Sequence, residues 1–243
     1  MKTRIDQLLV ARGLFDSRSQ ARAAIEAGLV LADGALVRKA SEQFADDIAL
    51  EAQPAHPWVG RGALKLDHAL TLWPVLVKGR VALDVGASTG GFAEVLLNRG
   101  AAKVFAVDVG FGQMHARVSS DPRVVNLERT DARDLTPDLI PQPPSLVVCD
   151  ASFISLIKVL PVALDLATPD ADLVTLVKPQ FEADGPGGGK KGVIKDAAAH
   201  AAAVERVRDW LEALGWAVLA TTESPITGGD GNVEFLLWAK KPG

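Results

Sequence analysis

The sequence is poor in cysteine and in aromatic residues, and these shortages exclude several classes of protein. One cysteine among 243 residues excludes a disulfide framework and a cysteine-rich zinc site. The four histidines lack the spacing of metal ligands, so we expect no metal site. Tyrosine is absent and aromatic residues make up 5% of the chain, which argues against an RNA-binding module built from stacked surface aromatics.

Long apolar runs are also missing. No run reaches the ~20 residues that a transmembrane helix needs, and the N-terminus lacks the apolar core of a signal peptide. Hydrophobic residues nevertheless make up 48% of the chain and charged residues 23%, so a sizeable core is possible and disorder is not expected. We therefore expect a soluble, cytoplasmic protein with one large domain and one small domain.

An overall excess of positive charge is missing too. The formal net charge is -4 and the pI is about 5.6, and as averages these values argue against nucleic acid as a partner. The charges are distributed unevenly along the chain. Residues 1–41 carry seven basic and four acidic side chains, and residues 56–80 carry four basic side chains and one acidic side chain. Residues 42–55 add four acidic side chains, which cancel the first excess. A local basic surface is therefore compatible with an acidic average.

The first part of the chain, residues 1–55, has the pattern of a small separate domain. Its predicted elements are two short helices, the second over residues 18–27, and a hairpin with an Asp-Gly turn over residues 29–37. Prolines on either side of His56 then break the pattern. We interpret residues 56–62 as an interdomain linker.

From residue 63 to residue 243, apolar strand-type runs alternate with helical segments. The predicted strands cover residues 81–85, 104–107, 124–127, 146–149, 173–177, 217–220 and 233–239. The predicted helices cover residues 64–72, 91–99, 154–166 and 196–214. This alternation indicates an α/β domain with a mostly parallel sheet between two helical layers, ending in an antiparallel hairpin. A glycine-rich basic stretch at 185–192 is expected to be a mobile loop.

A glycine-rich turn follows the first predicted strand of this domain. Glycines between a strand and a helix let backbone amides approach a ligand, and the start of the helix favours an anionic group. The spacing matches neither a dinucleotide fingerprint nor a P-loop. The residues predicted to bind a cofactor here are Asp84, Gly86, Ala87, Ser88, Thr89, Gly90, Gly91 and Phe92.

Acidic residues follow the next two strands. Asp108 can accept hydrogen bonds from both hydroxyls of a ribose, and Asp131, beside Ala132, can hold an adenine amino group. Together with the glycine-rich turn, they suit S-adenosylmethionine, which carries a carboxylate, a ribose and an adenine. The alternative is a tight turn followed by two ordinary loop aspartates.

Four charged residues stand at strand ends or on the helix that enters the domain: Lys65, Asp150, Lys178 and Glu234. Each alone is compatible with a solvated charge, but a lysine directly after an apolar strand is costly unless it is exposed or paired. If the four converge, they suit methyl transfer to a ribose hydroxyl, since S-adenosylmethionine is already activated. The enzyme then has only to position the hydroxyl and remove its proton.

Basic residues recur along the first two predicted helices. Arg4, Arg12, Arg18 and Arg22, with Arg61 of the linker, are predicted to bind RNA phosphates. The alternative is ordinary solvated helix charge.

These motifs resemble a known family. The first domain resembles the S4 RNA-binding domain through Arg4-Ile5-Asp6 and Gly28-Leu29-Val30. The second resembles FtsJ-type S-adenosylmethionine-dependent 2′-O-methyltransferases through Lys178-Pro179-Gln180-Phe181-Glu182 and Gly231-Asn232-Val233-Glu234. The combination resembles the TlyA family of haemolysin-A-like ribosomal RNA methyltransferases over essentially the whole chain.

The resemblance implies a Rossmann-like class I methyltransferase fold with a seven-stranded sheet. It also implies that Lys65, Asp150, Lys178 and Glu234 form a catalytic tetrad in which Lys178 is the base. The implied substrate is a cytidine of ribosomal RNA, free or in a ribosomal subunit, with the large subunit as the target. One departure is Gly60-Arg61-Gly62-Ala63, where the family usually reads Ser-Arg-Gly-Gly.

Other functions remain open. Methylation of a base amino group normally uses two prolines after the fourth strand, whereas this chain reads Asp150-Ala151-Ser152-Phe153. Methylation at cytosine C5 needs a cysteine nucleophile, but Cys149 is interpreted as a buried structural thiol. A membrane-active haemolysin needs a span or a basic amphipathic helix, and neither is evident. An inactive RNA-binding factor is disfavoured by the complete set of four charged residues.

Overall fold

The computed structural model describes residues 2–182, 193–228 and 231–243. The chain forms two compact units, Met1–Arg61 and Gly62–Gly243. The predicted glycine-rich loop at 185–192 lies outside the described residues.

The first unit combines two helices with short antiparallel strands. Its elements are β1 (Lys2–Arg4), α1 (Ile5–Ala11), α2 (Arg18–Glu26), β2 (Val30–Ala32), β3 (Ala35–Leu36), β4 (Gln43–Ala45) and β5 (Leu50–Ala52). Both predicted helices and the hairpin are present, and the Ser17 side chain caps α2 by accepting from the Gln20 amide. The strands β1, β4 and β5 were not predicted, because three residues are too few to display an alternating pattern and no tight turn marks them as the Asp-Gly turn marks β2 and β3.

The second unit alternates strands and helices. Its elements are α3 (Ala63–Leu72), β6 (Val81–Val85), α4 (Gly91–Asn98), β7 (Lys103–Val107), α5 (Ala116–Ser119), β8 (Val124–Leu127), a 3-10 turn (Ala132–Asp134), β9 (Leu146–Cys149), α6 (Leu156–Val159), α7 (Pro161–Asp165), β10 (Asp172–Val177), α8 (Pro179–Glu182), α9 (Ala197–Ala213), β11 (Ala217–Glu223) and β12 (Phe235–Lys240).

Two predicted elements differ from the structure in an informative way. The helix predicted over 154–166 is divided into α6 and α7, because Pro161 has no amide hydrogen and begins a new helix. The last strand begins at Phe235, so Glu234 precedes the strand rather than opening it.

The seven strands of the second unit form one sheet in the order β11-β12-β10-β9-β6-β7-β8. The five strands from β10 to β8 are parallel, and β12 is antiparallel to both of its neighbours. This topology confirms the predicted fold class. The strand order reverses between β6 and β9, and open α/β sheets bind ligands outside the carboxyl ends of strands at such a point.

The central strands are almost entirely buried because helices cover both faces of the sheet. Leu83 of β6, Phe105 of β7, Val147 of β9 and Leu173 of β10 are all buried in one core. Among the described residues, no helix is both long and apolar enough to cross a membrane.

Candidate active site

Four charged side chains that are distant in the sequence form one cluster in the second unit. Lys65 Nζ lies 2.6 Å from Glu234 Oε2 and 3.3 Å from Asp150 Oδ2. Lys178 Nζ lies 2.6 Å from Asp150 Oδ1. The Asp150 carboxylate therefore bridges two ammonium groups, and two positive charges balance two negative ones. We call these four residues the charged cluster.

The sheet topology explains why these side chains meet. Asp150 follows β9 and Lys178 follows β10, and the carboxyl ends of parallel neighbours lie at one edge of the sheet. Because β12 is antiparallel to β10, its first residue pairs with the last residue of β10, which brings Glu234 to the same edge. Lys65 reaches this edge from α3.

Burial makes the pairing within the charged cluster necessary. Lys65, Lys178 and Glu234 are 6%, 4% and 3% exposed, whereas the Asp150 side chain is 19% exposed. A buried ammonium is costly unless hydrogen bonds and opposite charges offset its lost hydration. Lys178 Nζ accordingly also donates to the Asp150 carbonyl oxygen at 3.0 Å and to Ser152 Oγ at 2.8 Å. Ser152 was not identified from the sequence.

Two glycines lie against the charged cluster. A Cβ atom at Gly228 would lie 2.5 Å from Glu234 Oε1, and one at Gly62 would lie 3.3 Å from Asp150 Oδ2. Side chains at these positions would therefore press on the two carboxylates. The glycines were visible in the sequence, but their contacts depend on tertiary structure.

A cavity of about 550 Å³ opens beside the charged cluster. This volume suits a small organic cofactor. Its lining residues are Val85, Gly86, Ser88, Val107, Asp108, Val109, Gly110, Gln113, Thr130, Asp131, Ala132, Asp150, Ala151, Ser152, Phe153, Ile154 and Val159. Five of the predicted cofactor residues are among them, namely Gly86, Ser88, Asp108, Asp131 and Ala132.

The other predicted cofactor residues do not line this cavity. They are Asp84, Ala87, Thr89, Gly90, Gly91 and Phe92. All but Thr89 are buried, and Gly91 and Phe92 begin α4. Gly90 adopts φ 89°, a left-handed conformation that favours glycine, so the turn can lead directly into the helix.

The glycine-rich turn packs against the segment that carries Asp150. Gly86 has φ 81°, and a Cβ atom there would lie 2.9 Å from the Ala151 Cα atom. Only glycine satisfies both the backbone conformation and this close approach. The glycine-rich turn therefore packs directly against the residue that follows Asp150.

Asp108 connects two walls of the cavity through backbone amides. Its Oδ2 accepts from the Ser88 amide at 2.8 Å, and its Oδ1 accepts from the Gly110 amide at 2.7 Å. Each carboxylate oxygen has a second lone pair, so hydroxyl groups of a ligand can still donate to it.

Asp131 has a partner that the sequence reasoning missed. Arg133 donates to its carboxylate from Nε at 2.9 Å and from Nη2 at 2.6 Å. These hydrogen bonds, aided by the Arg133 amide, lower the pKa of Asp131 below its usual value. The carboxylate is thus ionised and oriented at the cavity wall.

Asp84 lies behind the turn and is fully buried. Burial raises the pKa of this carboxyl group to about 8, and the negative charges of Asp150 and Asp108 add to the effect. The group is therefore largely protonated at neutral pH. Cys149 is fully buried as well, and burial raises the pKa of its thiol to about 12.

The predicted RNA-binding arginines of the first unit do not share one environment. Arg4, Arg18 and Arg22 surround the Asp6 carboxylate, and we call them the arginine cluster. Arg12 instead donates to the backbone carbonyls of residues 46 and 48. Arg61 is the last residue of the first unit. Across the described parts of the chain, no three His, Cys, Asp or Glu side chains could jointly hold a metal ion.

Comparisons with known proteins match both units. The FtsJ-like methyltransferase family matches residues 58–241, and the S4 domain matches residues 3–44. The 16S/23S rRNA (cytidine-2′-O)-methyltransferase TlyA of Mycobacterium tuberculosis is 48% identical over 241 residues, covering 98% of this chain and 90% of the relative. The 23S rRNA (cytidine-2′-O)-methyltransferase TlyA of Campylobacter jejuni is 37% identical over 182 residues, covering 74% and 70%.

A solved structure is similar over both units. A protein named as a hemolysin from Streptococcus thermophilus superimposes with a TM-score of 0.77 at 36% identity, covering 99% of this chain and 89% of that one. These matches confirm the predicted methyltransferase class, its cofactor S-adenosylmethionine and the S4 domain. The chain therefore belongs to the FtsJ-like methyltransferase family, in the TlyA group, and it carries an S4 domain ahead of the methyltransferase domain.

Proposed function

We propose that this chain methylates the 2′-hydroxyl of a cytidine in ribosomal RNA of the large subunit. The observation that carries the proposal is the charged cluster, which adjoins a cavity of about 550 Å³ at the carboxyl edge of the sheet. The names of the two TlyA relatives support the substrate, because both specify a cytidine 2′-hydroxyl and both include 23S rRNA. A ribosomal substrate would place the reaction in the cytoplasm.

The cavity fits S-adenosylmethionine, which supplies a methyl group activated on a sulfonium. Asp108 is proposed to accept from the ribose hydroxyls, since both of its oxygens are already oriented by amides. Asp131 and Ala132 line the same cavity, where an adenine would contact them. Gly86 and Ser88 of the glycine-rich turn line the same cavity, so this turn would form one wall of the cofactor site.

The residues of the charged cluster can each be given a role in the transfer. S-adenosylmethionine would supply the methyl group and leave as S-adenosylhomocysteine. The proton of the attacking 2′-hydroxyl would pass to Lys178 Nζ after that ammonium has released a proton to solvent. Asp150 and Ser152 hold this nitrogen in place, and the Asp150 carboxylate stabilises the ammonium that results. Glu234 holds Lys65 against the other oxygen of Asp150.

The geometry disfavours methylation at cytosine C5. That reaction needs an accessible thiolate, whereas Cys149 is fully buried and the pKa of its thiol is raised to about 12. Cys149 lies on β9 and is part of the hydrophobic core of the second unit.

The direct test is to map methylated sites on ribosomal subunits. Unmodified large and small subunits are incubated with the enzyme and S-adenosylmethionine, and 2′-O-methylation is located by mass spectrometry of RNA fragments. We expect methylation of a cytidine ribose in the large subunit. Methylation confined to a base, or to the small subunit, would contradict the corresponding part of the proposal.

The role of Lys178 is tested by Lys178→Ala. We expect the rate constant for methyl transfer to fall by about 10²–10⁴-fold, because a positioned base contributes that much. Affinity for S-adenosylmethionine, measured by calorimetry, should stay within about threefold of wild type, since Lys178 does not line the cavity. Lys158→Ala removes an exposed lysine from α6 and serves as the control. Unchanged turnover by Lys178→Ala would refute the assignment.

A further inference from the structure

Asp6 is an acidic residue at the centre of a basic group. Its side chain is fully buried at the start of α1, and three arginines contact it. Arg4 Nε lies 3.0 Å from Oδ1, Arg18 Nη2 lies 2.7 Å from Oδ2 and Arg22 Nε lies 3.4 Å from Oδ2. Donation from Arg4 and Arg18 holds the pKa of Asp6 well below its usual range. The carboxylate is therefore charged and fixed.

Only some of the N–H groups of the three arginines donate to Asp6. Their side chains remain 36%, 49% and 51% exposed. Arg4 and Arg18 each use Nε and Nη2, and Arg22 uses Nε, so the Nη1 groups of all three take no part in these bonds. Three positive charges against one negative charge leave two that are uncompensated. The arrangement presents forked donors and excess positive charge at a solvent-accessible surface.

The positions of the three arginines in the chain explain why all of them reach the Asp6 carboxylate. Arg18 and Arg22 are four residues apart on α2 and therefore lie on one face of that helix. Arg4 ends β1, directly before the helix that carries Asp6. Side chains from two elements are thus drawn to one carboxylate, and their rotamers are restricted before any ligand binds.

We propose that Asp6 is a positioning residue for RNA binding, whose buried carboxylate holds the arginine cluster as a preformed site for neighbouring backbone phosphates. This inference rests on the proposed function and extends it to a residue that touches no RNA. Guanidinium groups suit phosphate because two parallel N–H donors match two phosphate oxygens. Asp6 keeps those groups in register, so less conformational entropy is lost on binding.

The test is Asp6→Asn compared with Asp47→Asn. Both variants remove one negative charge from the first unit, but Asp47 is exposed and has no contact with the arginine cluster. Binding to unmodified large ribosomal subunits is measured at a series of salt concentrations. We expect Asp6→Asn to bind roughly tenfold more weakly, with a salt slope reduced by about one to two phosphate contacts. Asp47→Asn should bind as wild type or slightly more tightly.

The sign of the effect decides between two roles for Asp6. If Asp6 only repels RNA as a negative charge, Asp6→Asn binds more tightly than wild type and the inference is overturned. At saturating subunits, the turnover of Asp6→Asn should equal that of wild type, because only KM for the subunit changes. A loss of kcat with unchanged KM would also overturn it. If the wild-type protein binds subunits without methylating ribose, the proposed function fails. The binding of Asp6→Asn and Asp47→Asn can still be compared, so the inference about Asp6 is tested separately.

A second variant covers the case in which Asp6→Asn does not fold. Arg18→Lys keeps the charge, but a single ammonium cannot both hold the carboxylate with two bonds and reach a phosphate. Weaker binding than that of Arg38→Lys, which changes an exposed arginine outside the cluster, supports the inference. Equal affinities of these two variants would overturn it.

Discussion

Three aspartates at neighbouring strand ends differ in chemistry because their surroundings differ. Asp84 is fully buried and largely protonated, since burial raises the pKa of its carboxyl group to about 8. Asp108 is held by two backbone amides, and Asp150 bridges two lysines. One residue type therefore supplies a neutral group behind the turn, an oriented acceptor in the cavity and an ionic bridge in the charged cluster.

The state of Asp84 predicts how stability depends on pH. Between about pH 4 and pH 8 the unfolded state has ionised this group while the folded state keeps its proton, so unfolding releases a proton. Wild type should therefore lose free energy of unfolding as pH rises, by up to about 1.4 kcal/mol per pH unit from this group. Asp84→Asn lacks this dependence, so its stability relative to wild type should increase from pH 5 to pH 8.

Urea unfolding at several pH values measures this difference. Asp138→Asn, which changes an exposed aspartate, should give a curve parallel to that of wild type. Parallel curves for Asp84→Asn would show that the carboxyl group is ionised in the folded protein.

The side-chain partners of the site residues were harder to predict from the sequence than the places of those residues at strand ends. Lys178 and Asp150 could be singled out from the sequence because a charge directly after an apolar strand is unusual, and parallel strands end at one edge. Ser152 and Arg133 gave no such signal, since their partners are set by loop conformations. Asp6 was seen only as part of a motif, and its burial beneath three arginines depends on how two helices pack.

At the scale of elements, strands marked by an apolar run or by a turn signal were predicted, and strands with neither signal were not. The strands β8 and β9 have the predicted bounds, and β9 is a continuous apolar run, whereas β8 includes Asn126. The three-residue strands β1, β4 and β5 gave no signal, whereas β2 and β3 were predicted from the Asp-Gly turn between them. Pro161 was present in the predicted helix, but its effect on the helix was not anticipated.

The turn between β6 and α4 gives a prediction at this scale. Gly79→Ala should cost about 1–2 kcal/mol of stability because this glycine has positive φ, and Gly86→Ala should cost more, because its positive φ is combined with a close backbone contact. Only Gly86 lies against another segment, with its Cβ position 2.9 Å from Ala151 Cα, whereas nothing lies within 4 Å at Gly79. Gly86→Ala should therefore also weaken binding of S-adenosylmethionine and slow transfer, as calorimetry and single-turnover assays would measure. Equal losses of activity in the two variants would contradict this.

At the scale of the whole molecule, net charge is a poor guide to partners. The chain carries -4 overall, yet the arginine cluster concentrates three positive charges around one aspartate. The electrostatic potential near the arginine cluster depends more on these nearby charges than on the net charge of the chain, because salt screens distant charges.

This contrast predicts different salt responses for the two substrates. Raising KCl from 50 to 200 mM should increase KM for ribosomal subunits by roughly tenfold or more, since several phosphate contacts are involved. KM for S-adenosylmethionine should change little, because its proposed site lies in a cavity with short fixed hydrogen bonds. Steady-state kinetics with each substrate varied in turn measures both values, and equal salt responses would contradict the prediction.

The placement of β12 between β10 and β11 affects when the charged cluster can assemble during synthesis of the chain. Lys65 and Glu234 are 169 positions apart, and the strand that follows Glu234 inserts between β10 and β11. A growing chain can already contain the glycine-rich turn, Asp108 and Asp150 while β10 still has an unpaired edge. Until β12 closes that gap, Lys65 lacks its nearest carboxylate. If the charged cluster acts as proposed, a chain whose β12 has not yet paired should not transfer methyl groups, because Lys65 then lacks Glu234.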